Sequence, residues 1–173
     1  MNELMAVEFE IRQLHARYAD AVWRADYEAF GNCFVEDAEW RVGGRIMRGR
    51  AEILANIKRL RPMAYRILMT FRTPLVDLPG DGTASARTYV TEHNVFVDER
   101  PGNSIGIYFE RFVNTPEGWR FKWRLFQTHY VGLADIQGPL YDNPEFGPPP
   151  NMPALDTPTY DHTGISAKAW SKG

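Results

Sequence analysis

The chain has 173 residues, 44% hydrophobic and 24% charged, with a net charge of −2, which suits one domain with a sizeable core better than two. That near-neutral balance leaves no electrostatic footprint for nucleic acid or an anionic membrane, and no apolar run reaches the length of a bilayer span. Cys33 is the only cysteine and the start, MNELMAVEFE, carries no secretion signal, so there is no internal disulfide and a cytoplasmic location is expected.

Apolar residues recur at Leu4, Val7, Ile11, Leu14, Val22 and Ala25, the spacing of one helical face, and predict a first helix over residues 4 to 25. Tyr18 falls inside that face, and on periodicity alone it reads as a core tyrosine. DYEAFGNCF continues as a short second helix capped by Asp26, with Gly31 near its end. AEWRVGG reads as a short strand ending in a Gly-Gly turn. In RGRAEILANIKRLRP, Ile53, Leu54, Ile57 and Leu60 form one stripe and Pro62 closes a third helix.

The period then changes. YRILMTFRTPLVDL, TASARTYVTEHNVFVDE, SIGIYFERFVN and WRFKWRLFQTHYVG are rich in β-branched and aromatic residues. The turn signals PGDG, ERPGN and TPEG separate them. Helices followed by a meander of four long antiparallel strands predict an α+β fold. Seven of the twelve prolines lie beyond Gly138. The expected division is therefore a domain over 1–137 and a proline-rich arm over 138–173, packed on the domain, on a partner subunit or over a pocket mouth.

Five stretches, IRQLHARYADAVWRADYEAF, CFVEDAEW, GRAEI, GDGTASARTYV and GIYFERFVNTPEGWRFKWR, resemble the SnoaL-like group of the cone-shaped nuclear-transport-factor-2-like superfamily. Within that group the chain resembles the dehydratase branch, to which scytalone dehydratase and bile acid 7α-dehydratase belong. The resemblance runs over about residues 4 to 135. It implies three helices packed on a curved antiparallel sheet around a deep pocket, proton-transfer chemistry without a cofactor, and a homodimer or higher homo-oligomer. Tyr18 matches the helix-one tyrosine of the bile acid enzyme. An aspartate expected five residues later is Trp23 here, and the histidine expected within YRILMTF is missing. On the next strand His93 lines up with the scytalone enzyme's histidine and Glu92 with the bile acid enzyme's aspartate. Neighbours on a strand point to opposite faces, so only one of the two enters the interior unless a bulge intervenes.

Read by their own chemistry, Tyr18, Glu92, His93 and His129 are the catalytic candidates. Strict alternation along the last strand puts Trp119, Phe121, Trp123, Leu125, Gln127 and His129 on one face and Arg120, Lys122 and Arg124 on the other. His129 is then a shielded histidine, usable as a base or bonded to a carbonyl. His15 stands one turn before Tyr18 and could support its hydroxyl. In GIYFERF either the row Gly106, Tyr108, Glu110, Phe112 or the row Ile105, Ile107, Phe109, Arg111 could face inward. An inward Glu110 would need Arg66, Arg72 or Arg87 as partner. His15, Trp23, Phe71, Tyr108, Glu110 and Trp123 are the residues expected to line a substrate site. The four histidines have no metal spacing and no phosphate-binding glycine loop is present, so neither a metal nor a cofactor is expected.

The expected function is a cofactor-independent lyase, by dehydration or carbon–carbon cleavage, on a small hydrophobic hydroxylated substrate of aromatic or polycyclic type. Isomerisation or ring closure would use the same groups. A non-catalytic binding or assembly protein of the same fold, or the small subunit of a ring-hydroxylating oxygenase, are the alternatives.

Overall fold

The computed structural model describes residues 2–98, 100 and 102–134. The proline-rich arm over 138–173, and the boundary expected at 137, lie outside them. Helix α1 spans Glu3–Arg24. It starts where the Asn2 side chain accepts the Leu4 N–H at 3.0 Å, satisfying a donor the first turn cannot bond internally. It stops at Ala25, whose φ of 55° is left-handed. Val7, Ile11, Leu14, His15, Tyr18, Ala21 and Val22 are its buried side.

Helix α2 (Tyr27–Gly31) is capped by Asp26 and ends at Gly31, as read from the sequence. A side-chain carbon at Gly31 would stand 3.1 Å from Leu54 of α3 (Arg50–Leu60), so glycine allows the two helices their close approach. Strand β1 takes over at Phe34 and runs to Val42, longer than the AEWRVGG segment expected. Gly43 and Gly44, with φ of 56° and 72°, turn the chain into β2 (Arg45–Arg48), a hairpin turn of left-handed residues. After α3 a short 3₁₀ turn, Arg61–Met63, leads into the sheet.

One expected strand is two. β3 (Ala64–Phe71) and β4 (Leu75–Asp77) both pair with β5 (Thr83–Phe96), and Pro74, which cannot donate to a ladder, sits between them. β6 (Asn103–Thr115) and β7 (Gly118–Gly132) complete the antiparallel run. The order is β2-β1-β7-β6-β5-β3, and β1 joins β7 in parallel, a pairing no turn signal announces. The sheet curls around the helices without closing. Its concave face and the helices share one aromatic core containing Tyr18, Phe30, Phe34, Trp40, Phe112 and Phe121. Among the described residues no helix is long and apolar enough to cross a membrane.

Candidate active site in the aromatic interior

Two backbone irregularities decide which side chains reach the interior. Phe112 pairs with Phe121 but Arg111 pairs with Trp123, so Lys122 is an extra residue on β7. Such a bulge reverses the faces of everything beyond it. Phe121 remains in the core against the helices, whereas Trp123 and Leu125 cluster with Phe109 on the opposite face of the sheet. The alternation read from the sequence is corrected here: Trp123 is not an interior residue, and its indole N–H donates to Glu39 Oε1 at 3.1 Å. Gln127 pairs with Ile107 on that same outer row, and a second shift between Ile105 and Gly106 leaves His129 as the extra residue. The strict alternation that placed His129 beside Phe121 thus fails twice before reaching it.

The same bulge carries Arg124 inward, directly opposite Glu110. Both are fully buried, and Arg124 Nε and Nη2 each lie 2.9 Å from Glu110 Oε1. The inward row of β6 is therefore Tyr108, Glu110 and Phe112. The partner of Glu110 is Arg124 rather than Arg66, Arg72 or Arg87. Glu110 Oε2 accepts from Thr88 Oγ1 at 2.9 Å and from His15 Nε2 at 2.8 Å. Burial raises the carboxyl's pKa, but His15, Arg124 and these hydrogen bonds together outweigh it and leave the pKa below the ordinary value.

Three rings surround the Arg124 guanidinium: its Cζ is 3.8 Å from the Tyr108 centroid, 4.0 Å from Phe121 and 4.3 Å from Tyr18. Its Nη1 has no well-formed hydrogen bond among the described residues. Burial pushes the Tyr18 phenol up to about 12, with Arg124 and the Tyr108 hydroxyl opposing the rise. The Tyr108 phenol is raised well above its usual value, again by burial first. Both phenols therefore stay protonated and act as donors near neutral pH.

On β5, the row Ala84, Ala86, Thr88 and Val90 is buried, and Glu92 continues it inward. Glu92 pairs with Ser104, whose hydroxyl donates to Glu92 Oε2 at 3.2 Å. Burial raises its pKa, against opposing contributions from Ser104, Arg124 and Asn94. His93 points the other way, exposed on the outer face, with Nδ1 2.5 Å from Asn103 Oδ1. Of the two neighbours weighed from sequence, Glu92 is the inward one. Trp23 is 41% exposed under the Arg66 guanidinium, outside the interior. Phe71 is inward, stacked on His15 with centroids 4.8 Å apart.

The structure thus brings together Tyr18, Tyr108, Glu110, His15, Phe71 and Glu92, and adds Arg124, Thr88 and Ser104, which sequence reasoning missed. Arg124 left one readable trace: a carboxylate placed inward on β6 demands a buried cation, and the neighbouring strand holds one within a residue of the right register. Among the described residues no cluster of three or more histidine, cysteine or acidic side chains could hold a metal ion.

N-terminal helices inside a curled, unclosed sheet, with polar groups in its interior, define the nuclear-transport-factor-2-like class. A Novosphingobium aromaticivorans protein provisionally assigned as a scytalone dehydratase shares it, with a TM-score of 0.71 at 21% identity, covering 81% of this chain and 96% of that one. The dehydrochlorinase LinA-type3 from Novosphingobium barchaimii, which acts on hexachlorocyclohexane, has a TM-score of 0.68 at 16% identity over 78% of this chain and 94% of its own. A second Novosphingobium aromaticivorans protein, provisionally assigned as an aromatic ring hydroxylase, reaches 0.67 at 24% identity, covering 73% and 91%. These likenesses show the fold. No curated protein sequence matches the chain. The SnoaL-like domain model matches residues 4–124, and the chain belongs to that family.

Proposed function

We propose that this protein is a lyase working by acid/base chemistry on a small hydrophobic hydroxylated substrate, with no cofactor required for the reaction. One observation carries the reading: a buried arginine with an unsatisfied N–H and two protonated phenols lie in the same interior as Glu92, whose carboxyl is held above its usual pKa. A purely structural core has no need of that set, because each buried polar group costs desolvation energy. Glu92 as carboxylate removes a proton next to a substrate carbonyl, and the electron pair moves onto that oxygen. Tyr18 and Arg124 donate to the oxygen, stabilising charge that grows in the transition state. As the enolate collapses to the alkene, the β-hydroxyl leaves and takes the proton back from Glu92, departing as water. Loss of formaldehyde from an aromatic diol, or isomerisation, would draw on the same donors and the same carboxyl.

His15 and Glu110 are positioning residues here. They fix the Arg124 guanidinium in its aromatic slot, leaving Nη1 for substrate. The test is mass spectrometry of the protein incubated with aromatic diols, hydroxy-ketones and steroid-like alcohols. Loss of water or of formaldehyde in the wild type, absent in Tyr18→Phe and Glu92→Gln, supports the reading. A second reading, a non-catalytic binding protein, draws on the apolar inward row Ile67, Met69 and Phe71, where the family resemblance led one to expect a histidine. In that case compounds are retained unchanged and Tyr18→Phe retains them equally well. A homodimer and a cytoplasmic location go with either reading, and sedimentation of the purified protein tests the first.

A further inference from the structure

A cavity of about 330 Å³ opens between α1 and β3, lined by Arg12, His15, Ala16, Met69, Phe71 and Arg72 among others. Its volume is that of a site for a small molecule. Ala16 and Ala19 keep the helix wall low, and Phe71 separates it from Tyr18 and Tyr108, whose ring centroids lie 6.1 and 5.8 Å from its own. His15 is 2% exposed, and its Nδ1 has no hydrogen-bond partner. Nε2 is held by the Glu110 carboxylate, which fixes the direction of the ring and leaves Nδ1 as its second polar atom. Arg12 and Arg72 flank it, and the lining includes no acidic residue. Their own contacts are weak: Arg12 is 3.8 Å from Glu8 on the surface, and Arg72 Nη1 is 3.4 Å from Thr91 Oγ1.

We propose that this cavity is a second ligand site, apart from the Glu92 site, for a small hydroxylated aromatic monocarboxylate. The carboxylate sits between Arg12 and Arg72, the ring lies against Met69 and Ala16, and the hydroxyl end lies toward His15. The apolar walls, the cationic rim and the imidazole each select one part of such a molecule.

The experiment is a titration of the full chain, labelled with ¹⁵N-histidine, with 4-hydroxybenzoate. His15→Gln assigns the His15 signals among the four histidines. Saturable movement of the His15 ring nitrogens is expected. Binding should weaken roughly tenfold or more when the acid is removed, as in phenol, or when Arg12→Gln and Arg72→Gln are combined. Both arginines are exposed, so that variant should fold. Glu92→Gln should leave the titration unchanged. Absence of a saturable His15 shift, indifference to the arginine pair, or loss of binding in Glu92→Gln would each overturn the proposal. The last outcome would place the probe in the interior instead.

Discussion

In the proposed reaction Glu92 is the base and Tyr18 a donor, and replacing these single residues should separate chemistry from folding. Glu92→Gln keeps size and the Ser104 contact while removing the base. Turnover should fall by ~10²–10⁴, with the circular dichroism spectrum unchanged. Because burial raises the Glu92 carboxyl above its ordinary 4.5, the ionised form is depleted first as pH falls. The wild-type rate should therefore drop on the acid side at a pH above that of an unperturbed glutamate, and a rate profile with a midpoint at or below 4.5 would contradict the assignment. Tyr18→Phe removes one donor to the oxygen and leaves the ring in its cage of Phe30, Phe34 and Phe71. Turnover should suffer there while the melting temperature moves little.

β7 is the element that makes the interior, and it does so through Lys122. That side chain only reaches Asp37 on the surface, at 2.5 Å, so Lys122→Ala should cost less than about 1 kcal/mol. Deleting residue 122 removes the bulge itself. Trp123 would then follow Phe121 opposite Arg111 and Arg124 would still fall opposite Glu110, so the ladder runs straight with the buried ion pair kept. The deletion should therefore unfold at a urea concentration close to that of the alanine variant, and a large drop would contradict this register. α1 has its own dependence at its other end. Buried Arg61 donates to the carbonyls of Val22 at 3.0 Å and Trp23 at 3.2 Å, and also to that of Ala64. Two of these carbonyls belong to the last turn of α1, so the guanidinium ties the helix end to the start of β3. Arg61→Met should destabilise by about 1–3 kcal/mol in urea titration.

For the whole molecule, the Glu110–Arg124 pair links stability to pH. Glu110 is depressed in the folded state, so its contribution is present above the unfolded glutamate value and is lost as pH falls through the lower folded one. Thermal stability should thus decline steeply below pH ~4. Replacing both partners by apolar residues, Glu110→Leu with Arg124→Met, should flatten that decline at comparable neutral stability. Arg124→Met alone should be the least stable of the three at neutral pH, since it strands the carboxylate. Melting temperature against pH for the three proteins checks the set.

The order of helices and strands, the faces of α1 and α3 and the inward place of Tyr18 were legible in the sequence, because helical period and turn chemistry are local. Periodicity could also say that Glu92 and His93 face opposite ways, but not which way. That depends on how β5 registers with β3 and β6, and register is a property of strands distant in the chain. The sequence by itself therefore determined an α+β domain with a tyrosine aimed inward and a family to which it belongs. Only the tertiary structure decided the site. One extra residue at Lys122 exchanges Trp123 for Arg124 in the interior, and a bulge leaves no mark in a pattern of period two until the partner strand is laid beside it.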